Sequence, residues 1–332
     1  MAGALEIRGL HVALTLGRNA PQTTLLDGVD LTLAPGRRLA LVGESGSGKS
    51  LTAAALIGLI DAPLSWRADT FRLGDVDLNC LDDRQWRDVR GASISLVQQD
   101  PLTALSPVFA VGTQIAETIT RHLGMKGQAA WDEAIARMEE VGIPDSPRRA
   151  HDYPHQLSGG LRQRVAIAIA LAAAPSVVLA DEPTTALDVT VQRQILDLLR
   201  RMSEERHTSL LLITHDLHLI ADFAHDVAVM YAGRIAETGP ASLLLDKPKH
   251  PYTAALMAAQ PGQNPHAAKR RLPTIAGQPP VPADRPEGCA FAARCPLAIA
   301  LCHQSRPLLR WVEGREVACH RAELTPPLEA RE

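Results

Sequence analysis

The chain has 332 residues, 46% of them hydrophobic and 21% charged, with a formal net charge of −3. That length supports a large core and more than one domain, and the near-neutral charge gives no reason to expect nucleic acid as the main partner. MAGALEIRGL lacks a basic stretch followed by a long apolar run, so no signal peptide is read. The longest apolar run, Val165 to Ala180, is interrupted by Pro175 and Ser176 and is shorter than the ~20 residues of a membrane span. The expected compartment is reducing, which disfavours structural disulfides.

In chain order, RRLALVGES reads as a short buried strand entering a loop, with a helix starting near Gly48. The loop GESGSGKS, Gly43 to Ser50, fits the phosphate-binding form GxxxxGK[ST]. Gly46 and Gly48 permit turns that aim backbone N–H groups at phosphate oxygens, and Gly43, Ser45 and Ser47 complete the loop. The helix start adds partial positive charge. Lys49 can reach the β- and γ-phosphates, and Ser50 can ligate Mg²⁺. Cys80 stands apart and is expected to be an ordinary half-buried thiol.

Between Pro101 and Gln156, QIAETITRHL and AAWDEAIARMEEVGI have helical periodicity with no strand between them, as in a helical insert. A buried helix then ends at Pro175, and SVVLADEP follows as a buried strand that delivers Asp181 and Glu182 to its end. Asp181 can hold Mg²⁺, and Glu182 can orient or deprotonate an attacking water. TVQRQILDLLRRMSEER reads as a helix and SLLLITHD as a third parallel-type strand, so the core is α/β. Seven prolines between Pro261 and Pro286 predict a mostly extended linker. The two motifs together indicate a nucleoside triphosphatase.

LSGGLRQR opens a second helix start suited to anions, at Ser158, Gly159 and Gly160. With GESGSGKS before it and VVLADEP after it, the chain resembles the ATP-binding cassette (ABC) ATPases from about Leu5 to Gly239. The resemblance implies a RecA-like parallel sheet core with an antiparallel β subdomain and an inserted helical subdomain at about 100–157, all within residues 1–240. It also implies a head-to-tail dimer holding two ATP molecules, with Ser158, Gly159 and Gly160 closing on the nucleotide of the opposite subunit. Gln99 of VQQDP matches the glutamine that contacts Mg²⁺ and the attacking water, with Gln98 adjacent. Asp188 of ALD matches the loop facing the partner cassette, and His215 the switch histidine at the γ-phosphate. One departure is visible: no Phe, Tyr or Trp precedes Trp66. The aromatic that usually stacks on adenine is therefore replaced by an aliphatic contact, Leu14 or Leu16, with weaker base discrimination expected.

QDPLTALSPVFAVGTQI, DEPTTALDVTVQRQILDLL, KHPYTAALMAAQP and LPTIAGQPP resemble the dipeptide and oligopeptide importer ATPases over almost the whole chain. That implies a paralogous second ATPase subunit, two transmembrane permeases and an extracytoplasmic substrate-binding protein, with the chain at the cytoplasmic face of the inner membrane. The helical insert and the segment after Gln99 are expected to receive the permeases. Nickel, metal-chelate or oligosaccharide import is the alternative within the group, and a soluble ATPase of DNA repair or regulation is the distant one.

The extension 241–332 ends in a cysteine-rich tail with spacing Cys289-x5-Cys295-x6-Cys302-x16-Cys319. Four grouped thiols suggest a metal site, although two disulfides or four unligated thiols also fit the pattern. Zinc favours tighter pairs than these, whereas iron–sulfur clusters also take four thiolates. The tail resembles the importer segment that ligates a [4Fe–4S] cluster, which implies that cluster on Cys289, Cys295, Cys302 and Cys319, with zinc second.

Overall fold

The computed structural model describes residues 3–17, 21–185, 187–259 and 274–324. They fall into two compact units. One holds Arg72–Ile213 with Leu33–Arg37 and the segment ending at Leu5; the other holds Glu6–Thr32, Arg38–Phe71 and the chain from Thr214 onward.

The first unit is built on three parallel strands, Ile94–Val97, Val177–Asp181 and Ser209–Thr214. Val97 lies opposite Ala180, and Asp181 opposite Ile213. Their largely apolar, almost wholly buried runs are the pattern of strands covered on both faces. The helix Gly159–Leu171 stops just ahead of Pro175, where Ala174 takes a left-handed φ of 52°. The helix Val189–Arg206 buries Ile195, Leu198, Leu199 and Met202, a stripe at helical spacing. The expected helical insert is present as Val111–Leu123 and Gln128–Glu140. Ile115 and Ile119 of the one, and Ala130, Ala134 and Met138 of the other, are buried at four-residue spacing. Cys80 is exposed rather than half-buried, because the turn after Val76–Asp77 leaves it at the surface.

The second unit contains the strand Arg38–Val42, buried throughout, which runs parallel to Asp226–Tyr231 with Val42 opposite Val229. Arg234–Pro240 returns antiparallel. The tail then extends the same sheet: Arg315–Val317 pairs with Arg234–Pro240, and Arg310–Val312 with Arg315–Val317. A second sheet has Leu5–Leu14 antiparallel to Leu64–Arg67. Between the P-loop strand and the tail, the rings of Tyr231, Tyr252 and Phe291 pack with centroids 4.6–5.4 Å apart. The cysteine tail thus shares a core with the strand that leads into GESGSGKS. Of the proline-rich linker, residues 260–273 lie outside the described residues; 274–281 carry neither helix nor strand, and Pro282–Asp284 make one 3₁₀ turn.

Candidate functional site

The phosphate loop belongs to the second unit. The strand Arg38–Val42 ends at Gly43, and the helix Lys49–Leu56 begins immediately after Gly48. A Cβ at Gly43 would sit 2.2 Å from the carbonyl oxygen of Met230, and one at Gly48 would sit 2.6 Å from Leu26 Cδ2. Gly48 also has φ 108°, which side chains rarely adopt. Lys49 is buried, and its Nζ donates to the carbonyls of Gly43 (2.9 Å) and Glu44 (3.0 Å). The ammonium is therefore folded back over its own loop. Ser47 Oγ is buried with no hydrogen-bond partner among the described residues, a group that an incoming phosphate oxygen could satisfy. His215 of the same unit is exposed, directly after the strand Ser209–Thr214.

Asp181, Glu182, Gln99, Ser158, Gly159, Gly160 and Asp188 belong to the other unit. Glu182 turns out of its strand with a left-handed φ of 44°, backbone strain of the kind that collects at functional sites. Its N–H donates to Ile213 O (2.9 Å), and Thr185 Oγ1 donates to its Oε2 (2.9 Å). Gln99 Nε2 donates to that same Oε2 at 3.2 Å, whereas Gln98 accepts from Thr103 Oγ1 at 3.4 Å. Of the two adjacent glutamines, Gln99 is thus the one that meets the acid. Ser158 caps the helix Gly159–Leu171 by accepting from Leu161 N at 3.4 Å, and Ser158 and Gly159 are exposed. Asp188 caps the helix Val189–Arg206, its Oδ1 accepting from Val191 N at 3.0 Å. Ala186, the first residue of the ALD loop, lies outside the described residues.

The four tail cysteines, distant in sequence, line one small cavity with His250, Phe291 and His320. All four are free thiols. Burial, and the neighbouring sulfurs, push the Cys289 and Cys295 thiols up, and Cys319 up to about 11. Among the described residues, no three His, Cys, Asp or Glu side chains are gathered tightly enough to hold a single metal ion.

Three residues of the phosphate-loop neighbourhood escaped sequence reasoning: Glu44, Tyr252 and Arg294. Tyr252 Oη accepts from Glu44 N across 208 residues, and Arg294 reaches the Glu44 carboxylate across 250. Nothing in local periodicity marks contacts of that separation.

A phosphate loop, a buried strand ending in Asp-Glu and an LSGG helix start define an ATP-binding cassette ATPase. The ABC transporter family model matches residues 26–185, and that of the oligopeptide/dipeptide transporter C-terminal region matches residues 236–302. The chain belongs to the ATP-binding subunits of the oligopeptide/dipeptide branch of the ABC transporter family. It is 44% identical to the dipeptide transport ATP-binding protein DppD of Haemophilus influenzae, with 89% of each chain covered. It is 43% identical to DppD of Escherichia coli K12, covering 89% of this chain and 90% of that one. A Brucella abortus protein named for peptide import is 47% identical, with 89% and 88% covered. Among solved structures, the dimeric ATP-binding cassette MJ0796 bound to ADP and Pi aligns with a TM-score of 0.63 at 26% identity, covering 71% of this chain and 98% of that one.

Proposed function

We propose that this chain binds and hydrolyses ATP to drive uptake of di- and oligopeptides, as a peripheral subunit at the cytoplasmic face of the cell membrane. The hydrolytic assignment rests on the Gln99–Glu182 contact, which gives the acid at the strand end a partner suited to water and Mg²⁺. The peptide assignment rests on the tail, because the ATP motifs are common to all cassettes and the match over 236–302 is not. Among the described residues, no helix is long and apolar enough to cross a membrane, so permeases would supply the path.

In this reading, Lys49 and the amides of Gly43 to Ser50 hold the β- and γ-phosphates. Ser50, Gln99 and Asp181 would hold Mg²⁺, which supplies neutralisation of the phosphate charge. Glu182, steadied by Thr185 and Gln99, accepts the proton of the attacking water as its oxygen bonds to the γ-phosphorus and ADP departs. His215 contacts the γ-phosphate. Ser158, Gly159, Gly160 and Asp188 face a second, paralogous ATPase subunit. Residues 1–240 serve as the cassette and 241–332 as the tail. Leu102, Val108 and Phe109, exposed after Gln99, are the apolar surface offered to two permeases, which a substrate-binding protein loads from outside.

Cys289, Cys295, Cys302 and Cys319 are the proposed ligands of a [4Fe–4S] cluster. When bound, it would supply iron–thiolate bonds that cross-link a tail with little core of its own. Anaerobic purification with iron, sulfide and zinc analysis tests this; stoichiometric zinc without iron would replace the cluster by zinc. For the transport function, the co-purified complex is reconstituted in vesicles and its ATP turnover measured. Peptide-loaded binding protein is expected to stimulate it. Stimulation by a nickel- or oligosaccharide-loaded binding protein alone would reassign the substrate.

A further inference from the structure

The turn between Cys289 and Cys295 carries a side chain that reaches the phosphate loop. Arg294 closes the 3₁₀ turn Ala292–Arg294 and directly precedes Cys295. Its Nη1 donates to Glu44 Oε2 at 2.8 Å, and its Nη2 to Glu44 Oε1 at 3.0 Å. This is the paired fork in which arginine holds a carboxylate most strongly. The Arg294 side chain is only 6% exposed. Its remaining donors are used as well: Nη1 meets Tyr231 Oη at 3.2 Å, and Nε and Nη2 meet the carbonyls of Ala276 (2.9 Å) and Ile275 (3.3 Å).

Glu44 is the second residue of GESGSGKS. It is held at three points: its carboxylate by Arg294, its N–H by Tyr252 Oη at 2.8 Å, and its carbonyl by Lys49 Nζ at 3.0 Å. Every one of these groups belongs to the second unit. Two physical consequences follow. A carboxylate within the phosphate loop repels a triphosphate unless its charge is met, and the Arg294 guanidinium meets it. The same fork also limits the conformations open to the loop whose carbonyls receive Lys49.

We propose that Arg294 is a positioning residue for ATP binding: through Glu44 it neutralises and fixes the phosphate loop, so that the cysteine turn and the nucleotide site move as one body. The proposal rests on GESGSGKS being the triphosphate site, and it does not depend on which group the four thiols hold. A displacement of the turn that carries Cys295 displaces the guanidinium next to it. Nucleotide affinity thereby becomes sensitive to the state of the tail.

The test measures the Kd of a fluorescent ATP analogue and the steady-state KM and kcat of the full chain, for wild type, Arg294→Ala, Arg294→Lys, Glu44→Ala and the double variant, with Lys49→Ala as control. Arg294→Ala is expected to raise Kd and KM about tenfold or more, as for loss of a charged hydrogen bond of ~1.5–3 kcal/mol. Saturated kcat is expected to stay within about twofold of wild type. Arg294→Lys keeps the charge without the fork and should recover part of the affinity, and in the Glu44→Ala background the effect of Arg294→Ala should shrink to about threefold or less. An equal loss in both backgrounds would show that Arg294 does not act through Glu44, and an unchanged Kd in Arg294→Ala would overturn the proposal. If Lys49→Ala also leaves Kd unchanged, it is the phosphate-site assignment that fails instead. Should Arg294→Ala not fold, Arg294→Gln keeps the volume and undergoes the same measurement.

Discussion

Gln99 and Glu182 share a hydrogen bond of 3.2 Å between the ends of adjacent parallel strands. The strand Ile94–Val97 runs out into the two glutamines, and the strand Val177–Asp181 runs out into the acid. Parallel pairing with Val97 opposite Ala180 sets the two side chains side by side. The Gln99 amide donates to Glu182 Oε2, which holds the carboxyl at the strand end where a general base is needed. Glu182→Gln keeps the shape and loses the basicity. It is expected to lower kcat by about 10²–10⁴-fold, the usual span for a lost general base. ATP should still bind and should trap a dimer visible by gel filtration.

Lys49 presents a different case, because its ammonium is already hydrogen-bonded to Gly43 and Glu44 carbonyls. Bound phosphates compete with those carbonyls for the same three N–H donors. Lys49→Ala is expected to weaken ATP binding about ten- to a hundredfold, as for a charged hydrogen bond of ~1.5–3 kcal/mol. Calorimetric titration with ATP checks it, and transport should fall with affinity.

The strand Leu5–Leu14, expected to meet the base, carries no aromatic residue, although Trp66 pairs opposite its Val12 on Leu64–Arg67. Leu14 is half-buried at the end of Leu5–Leu14, and Leu16 is exposed. An aliphatic side chain covers a purine face without reading its edge, so adenine and guanine should differ little. The kcat/KM values for ATP and GTP are expected to agree within about tenfold, or ~1.4 kcal/mol. A larger ratio, measured with both nucleotides under one condition, would show that another group reads the base.

The strands and helix starts that carry the candidate residues were legible in the sequence, because their signals are local. GESGSGKS needs glycine where a Cβ would strike Met230 O or Leu26, and SVVLADEP needs a buried strand to deliver its acids. The resemblance named Gln99 with Gln98 adjacent, and local pattern alone does not separate the two; the contact of Gln99 with Glu182 depends on strand register. The place of the tail was not legible either. Its hairpin adds to the sheet through the pairing of Glu237 with Val317, and Tyr252 and Arg294 meet Glu44 across 208 and 250 residues. The environment of Asp27, with Arg234, Arg285 and Arg306 converging on one carboxylate, is likewise set by tertiary structure alone.

The join between tail and sheet also has a buried charge at its centre. Glu237 is fully buried, and its two oxygens accept from Lys249 N and His250 N at 2.9 Å each. Arg315 of the tail hairpin lies 3.5 Å from Oε1 and donates to the carbonyls of Leu243 and Lys247. Removing the carboxylate leaves two backbone N–H groups without their acceptor and takes the counter-charge from the buried Arg315 guanidinium, which keeps its two carbonyls. Glu237→Ala is expected to destabilise the second unit by about 3–5 kcal/mol, the cost of breaking a buried ion pair, seen as a lower denaturant midpoint. Burial raises the Glu237 carboxyl above its ordinary value, against the pull of the two N–H groups and Arg315. The folded state then holds this proton more tightly than the unfolded state. The Glu237 contribution to stability is fullest below the unfolded value and falls as pH rises through the raised folded value. Glu237→Gln keeps one acceptor oxygen and cannot titrate. It is expected to cost less than Glu237→Ala and to flatten that part of the stability–pH curve; an unchanged slope in Glu237→Gln would assign the titration to another group.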